Sequence, residues 1–241
     1  MNNFVCSISN LTKRFNNQSE VLNNLNLTIA SGKITCLVGL NGIGKTTIIK
    51  ILLGLIQNYN GSVQLDHKDV KNYRLRYTIF HLPEKFNPPY NFTGREFIKI
   101  SLNFYHIPIN EEILHNYCQQ INFNYEQLDK RISTYSKGMV QKIGVLAMLS
   151  SPTTTWILDE PMSGLDPTAR YEVKQILKSN NALGKTIIFT SHLLADVEEM
   201  ADNIIILHNG TICFNNNLEE LFTQYNTNNI EEAYLKAINY Y

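Results

Sequence analysis

The sequence predicts an α/β fold: a mixed, mainly parallel sheet with an N-terminal antiparallel β part and an inserted helical subdomain. Three observations predict it. Short apolar runs such as Ile34–Val38, Tyr77–Leu82, Thr154–Leu158 and Lys185–Thr190 have strand length and turn-forming flanks, and helical patterning follows most of them. Between two such groups, from Thr93 to Leu149, the pattern is helical with little strand signal. Third, Gly39-Leu40-Asn41-Gly42-Ile43-Gly44-Lys45-Thr46-Thr47 fits G-x-x-x-x-G-K-[ST] at every fixed position. A buried-strand run precedes that stretch and a helical run, Thr46 to Leu55, follows it, so the core reads as a P-loop NTPase core.

Phe4 to Leu11 alternates loosely and reads as a strand. Phe15 follows it, just before the polar turn Asn16–Ser19. It is read either as a ring that stacks on a purine or as a strand-end aromatic packed on the core, and spacing alone favours the core. Leu25–Ile29 alternates as a half-buried strand, and Ser31-Gly32 turns into Ile34–Val38. Asn60-Gly61 marks a turn before the short strand Ser62–Asp66. Tyr77–Leu82 is a strand that ends at Pro83-Glu84, and the aromatic, proline-rich Phe86–Phe92 reads as a docking rim or a self-packed loop. Thr93 and Glu96 have capping-box spacing for a helix reaching Tyr105. A second helix covers Asn110–Ile121, and helical character recurs near Tyr125–Ile132. Ser136 is a natural N-cap for Val140–Leu149, which Pro152 stops. Thr154–Leu158 ends in Asp159-Glu160, and Pro167 suits the first turn after the loop Pro161–Asp166. The strand Lys185–Thr190 ends at Ser191-His192, and Asp196–Ala201 is helical. Asn203–Leu207 and Thr211–Asn215 form a hairpin over Asn209-Gly210, and an amphipathic helix runs from Ile230 to Tyr241. The division expected is a single domain: core in 1–92 and 151–215, helical subdomain in 93–150, helical tail in 216–241.

The glycines Gly39, Gly42 and Gly44 let the backbone curl so that successive N–H groups face phosphate oxygens. The helix beginning near Lys45 adds its positive end. Lys45 is placed to reach the β/γ-phosphates and Thr46 to ligate Mg²⁺. An apolar strand ending in Asp159 beside such a loop puts a carboxylate near the metal, and Glu160 is the natural general base for an attacking water. His192 ends the next strand on the same sheet edge, where it can reach a γ-phosphate.

Lys+Arg and Asp+Glu are both 21 in 241 residues, so there is no basic excess for a nucleic-acid partner. Cys6, Cys36, Cys118 and Cys213 are scattered without a C-x-x-C pair and read as reduced thiols of a cytosolic protein. No apolar run approaches the roughly 18–20 residues that span a bilayer, and the first residues lack the pattern of a signal peptide. A membrane role would come through a partner.

Gly39–Thr47, Ser136-Lys137-Gly138-Met139, Leu158-Asp159-Glu160-Pro161, Ser163-Gly164-Leu165-Asp166 and Thr190-Ser191-His192 occur in an order and spacing that resembles the ATP-binding subunit of an ATP-binding cassette (ABC) transporter. The resemblance covers nearly the whole chain. It implies ATP and Mg²⁺ as ligands, a second ATP-binding subunit, and a separate transmembrane permease that holds the chain at the cytoplasmic face of the membrane. It implies adenine stacking for Phe15, phosphate binding for Gly39, Asn41, Gly42, Gly44, Lys45, Thr46 and Thr47, and metal organisation for Asp159. It further implies catalysis by Glu160, a γ-phosphate switch at His192, a loop that talks across the dimer at Asp166, and trans contact with ATP by Ser136 and Gly138. Two positions depart from the common pattern. The signature reads Tyr135-Ser136-Lys137-Gly138-Met139 rather than Leu-Ser-Gly-Gly-Gln, and Glu84 stands where many members carry a Gln near Mg²⁺ and water. Both departures, with Gly94-Arg95-Glu96-Phe97 and the ending Ile230–Leu235, are similar to a bacterial branch that exports drugs, peptides or lipids.

Overall fold

The computed structural model describes residues 4–15 and 20–240. The turn expected at Asn16–Ser19, the first three residues and Tyr241 lie outside the described residues. In chain order the first elements are β1 (Phe4–Arg14), β2 (Glu20–Ala30), β3 (Ile34–Val38), α1 (Lys45–Leu52), β4 (Asn60–Leu65), β5 (Lys68–Asp69) and β6 (Ile79–Leu82). Three helices follow, α2 (Gly94–Asn103), α3 (Glu111–Gln120) and α4 (Lys137–Ser150). Then come β7 (Thr155–Leu158), α5 (Pro167–Ala182), β8 (Thr186–Ser191) and α6 (Leu194–Met200). The last are β9 (Asn203–His208), β10 (Thr211–Asn216), α7 (Leu218–Tyr225) and α8 (Ile230–Ala237).

Six strands form one sheet in the order β10-β9-β3-β8-β7-β6, parallel except for β10. Its central strands β3, β7 and β8 are buried along their whole length, as expected of strands covered on both faces. Alternation divides their side chains between two apolar clusters. Cys36, Val38, Trp156, Leu158 and Phe189 pack with α4, α5 and the helices before them. Leu37, Ile157, Ile188 and Ile205 face the other way, onto α1 and the inner face of the antiparallel sheet β2-β1-β4-β5. The helix that follows the phosphate loop is thus held between two sheets by Ile48, Ile49, Ile51 and Leu52.

The parallel register decides where the chemistry collects. Val38 pairs with Ser191, Leu158 with Phe189, and Leu82 with Leu158. Gly39, Glu84, Asp159 and His192 therefore leave the sheet along one edge, the carboxyl ends of its strands.

Several boundaries differ from the sequence reading, each for a local reason. β1 runs on to Arg14 and β2 starts at Glu20, because bulges between Ile8, Leu11 and Lys13 interrupt the alternation without ending the pairing. Tyr77 belongs to a 3-10 turn, Tyr73–Tyr77, that Asn72 caps by accepting from the Arg74 N–H, so the strand begins at Ile79. The helical character near Tyr125–Ile132 resolves into two 3-10 turns, Tyr125–Asp129 and Ile132–Thr134. The Thr93 capping box forms as expected, with both reciprocal bonds present. The helical tail expected in 216–241 is two helices, α7 and α8, and α8 ends at Ala237. Phe86 packs edge-on against Phe97 while Tyr90 is 59% exposed, so the aromatic segment is partly self-packed and partly a rim.

Candidate functional site

Gly44 precedes α1 at φ 116, a conformation that disfavours any side chain, and an added Cβ would lie 2.7 Å from Leu22 Cδ2. It makes no side-chain cap bond, which leaves the first-turn N–H groups of α1 available to an anion. Lys45 is buried, and its ammonium donates to the carbonyls of Gly39 at 2.6 Å and Leu40 at 3.1 Å. Burial pulls its pKa below the usual lysine value, against the attraction of Glu160 and Asp159. The cation is held across the mouth of the loop by weak neutral acceptors, where a phosphate would be the stronger partner.

Asp159 is buried and accepts two hydroxyls, from Thr46 at 3.1 Å and from Thr190 at 2.6 Å. The Thr190 hydroxyl also accepts the Glu160 N–H at 2.9 Å. This second bond fixes Glu160, whose φ of 52 places a bulky side chain in the left-handed region. Such strain costs on the order of 1–3 kcal/mol and persists where the surroundings over-determine it. The Glu160 Oε2 lies 2.9 Å from His192 Nδ1, and Oε1 is buried without a hydrogen-bond partner among the described residues. Burial raises the Glu160 pKa above the ordinary carboxylate value, and the bond with His192 offsets part of that rise. An orphaned carboxylate oxygen of raised basicity is what a general base needs to accept a proton from water.

Asn41, Gly42, Gly44, Lys45, Thr46, Thr47, Glu84, Lys85, Asp159 and Glu160 line one cavity of about 310 Å³. Its metal-binding capacity rests on oxygen: the Thr46 hydroxyl, Asp159 and Glu84. Among the described residues no group of three or more His, Cys, Asp or Glu forms a metal cage. That suits Mg²⁺, which keeps waters and takes one or two carboxylates together with substrate phosphates.

Ser136 and Gly138 open α4, where the Ser136 hydroxyl accepts the Met139 N–H at 3.3 Å. A Cβ on Gly138 would meet nothing closer than the Ser136 hydroxyl at 4.0 Å, so this helix end is open. Asp166 caps α5 by accepting the Ala169 N–H at 3.0 Å, and backbone N–H groups lower its pKa. Ser136, Gly138 and Asp166 line a second cavity of about 380 Å³ that shares no lining residue with the first. Phe15 lines neither of these cavities, is 37% exposed at the end of β1 and belongs to neither apolar cluster.

Sequence reasoning gave no role to Thr190, whose hydroxyl joins Asp159 to Glu160. The available signal was a threonine inside the fully buried strand Thr186–Ser191, at the end nearest the carboxylate pair. It also missed the bond from Gln141 Nε2 to the Pro161 carbonyl at 2.9 Å, which ties α4 to the residue after Glu160.

A P-loop cavity, a carboxylate pair beside it and a separate helix-end cavity on one chain define a class of nucleotide-driven proteins, and the comparisons identify the family. The sequence matches the family described as ABC transporter over residues 22–163, and the chain belongs to that family. It is 33% identical over 224 residues to the lantibiotic transport ATP-binding protein SrtF of Streptococcus pyogenes, covering 89% of this chain and 94% of that one. It is 34% identical over 222 residues to an uncharacterized ABC transporter ATP-binding protein of Nostoc, covering 89% of this chain but only 65% of that longer protein. A solved ATP-binding subunit of an ABC transporter superposes with a TM-score of 0.89 at 25% identity, covering 97% of this chain and 99% of that one.

Proposed function

We propose that this chain is the ATP-hydrolysing motor of an exporter, acting as a pair of ATP-binding subunits on a separate permease. The observation that carries the reading is the division of one site over two cavities. The phosphate loop, Asp159 and Glu160 line one, and Ser136, Gly138 and Asp166 line the other, with no residue in common. A helix N-terminus with a serine cap and an open glycine suits an anion, yet its cavity is lined by none of the phosphate loop, Thr46, Asp159 or Glu84. Two copies, or this chain and a related one, complete each other if each lays its α4 end on the nucleotide of its partner.

In this scheme Lys45 and the first turn of α1 hold the β/γ-phosphates and Phe15 stacks on adenine. Thr46, Asp159 and Glu84 would hold Mg²⁺, which would supply neutralisation of phosphate charge. Glu160 takes the proton of the attacking water, and His192 orients Glu160 and meets the γ-phosphate. Glu84 lies two residues after β6 and leads into the rim at Tyr90, so loss of γ-phosphate is passed to the helical segment 93–150 and from there to the permease. Among the described residues no helix is long and apolar enough to cross a membrane. Likeness to a lantibiotic transport protein supports a peptide-like cargo.

The test is Glu160→Gln. ATP binding should persist, hydrolysis should fall by about 10²–10⁴-fold, and light scattering should show an ATP-dependent dimer. Turnover at the wild-type rate would remove Glu160 from its role as base.

A further inference from the structure

Lys13 is only 6% exposed, and none of the ion pairs among the described residues uses it. Its ammonium donates to the Asn58 carbonyl at 2.5 Å and lies 4.5 Å from the centroid of the Phe15 ring. An ammonium buried without a counter-charge is costly, so packing alone would be better served by an apolar residue. Among the described residues its partners are a carbonyl and a ring face, and the ring is the residue read above as the adenine platform.

The placement ties that ring to the phosphate site. Lys13 pairs with Leu22 across the β1–β2 ladder, and Leu22 is the side chain that packs against Gly44 of the phosphate loop. Asn58 lies just beyond α1, the helix that Lys45 opens. Lys13 therefore joins the end of β1 to the exit of α1, while its ladder partner touches the entrance. Phe15, two residues on, stands at the end of β1 against the Lys13 ammonium, with part of its surface open.

We propose that Lys13 is the positioning residue of the base-binding platform: its ammonium covers one face of Phe15 and holds the ring so that the remaining surface receives the base of a purine nucleoside triphosphate. The proposal rests on the base-stacking reading of Phe15. Calorimetric titration with ATP and with inorganic tripolyphosphate, both with Mg²⁺, tests it on Lys13→Met, Lys13→Gln, Phe15→Leu and the Lys13→Met/Phe15→Leu double variant. Tripolyphosphate has no base and reports the phosphate loop alone.

Lys13→Met should weaken ATP binding about fivefold, the scale of a partly desolvated cation–π contact, and leave tripolyphosphate binding unchanged. Lys13→Gln can keep the bond to Asn58 while losing the charge, and should show the same selective loss. In the double variant ATP should bind no more weakly than in Phe15→Leu, because the two residues act as one unit. A purely structural Lys13 would lower both ligands together, and that result overturns the proposal. So does a selective loss in Phe15→Leu with none in either Lys13 variant. If Phe15→Leu binds ATP as tightly as wild type, the base-stacking reading itself fails, and the proposal with it.

Discussion

At Glu160 two influences act on one carboxyl group: burial raises its pKa, and the bond with His192 lowers it. The group works as a base only when ionised, so hydrolysis should fall as pH drops through its pKa. Removing the lowering influence moves that limb in a known direction. His192→Ala should raise the Glu160 pKa further and shift the acid limb of the kcat profile to higher pH, which a pH–rate series reads. A limb that stays in place or moves to lower pH would contradict the electrostatic role of His192. Thr190 gives a second expectation at this scale. Thr190→Val keeps the shape but removes the hydroxyl that serves Asp159 and the Glu160 N–H. Without it the left-handed Glu160 loses its tether, and kcat should drop about tenfold or more, with ATP affinity little changed. These residues also show what the sequence can and cannot reveal. Lys45, Asp159 and Glu160 are legible because motif spacing reports them. The Thr190 link is not, because a threonine at a strand end names no partner until β7 and β8 are in register.

Between elements, α5 and α6 are joined through one buried carboxylate. Asp196 in the first turn of α6 accepts a forked pair of bonds from Arg170 and a further contact from Lys174 at 2.9 Å, and its side chain is 2% exposed. α5 begins at the Asp166 cap and α6 lies two residues after His192, so this strut links two loops that the proposed cycle moves. Asp196→Asn removes the charge that faces both cations. Breaking a buried pair costs up to about 3–5 kcal/mol, and the partial exposure of Arg170 reduces that to about 2 kcal/mol here. Urea unfolding should show the loss as a lower midpoint at unchanged slope. Element existence was largely legible from periodicity, and element ends were not. β1 outran its alternation because bulges reset the phase at Leu11 and Lys13. Within the expected helical tail the start of α7 was not legible, because Asn215, Asn216 and Asn217 are all candidate caps; Asn217 is the one that accepts the Glu220 N–H. Leu221 then packs into the same cluster as Ile230 and Ala233 of α8.

For the whole molecule, the sheet edge gathers the phosphate loop, Glu84, the carboxylate pair and His192, while the α4 end and Asp166 line a different cavity. The first grouping was legible in outline, because strand ends of a parallel sheet meet at one edge. The separation of the second was implied only by the family resemblance, because spacing along the chain does not say which cavity a helix end lines. In the proposed scheme this separation would make nucleotide binding an assembly event. Gly138 offers a direct probe: a Cβ there has open space, so Gly138→Asp fits the single chain while placing a carboxylate where a partner's phosphate would lie. The most direct test is sedimentation with ATP of Glu160→Gln and of Glu160→Gln/Gly138→Asp. The account predicts a dimer for the first and a monomer of unchanged ATP affinity for the second. A dimer that survives Gly138→Asp would contradict completion of the site by the partner's α4.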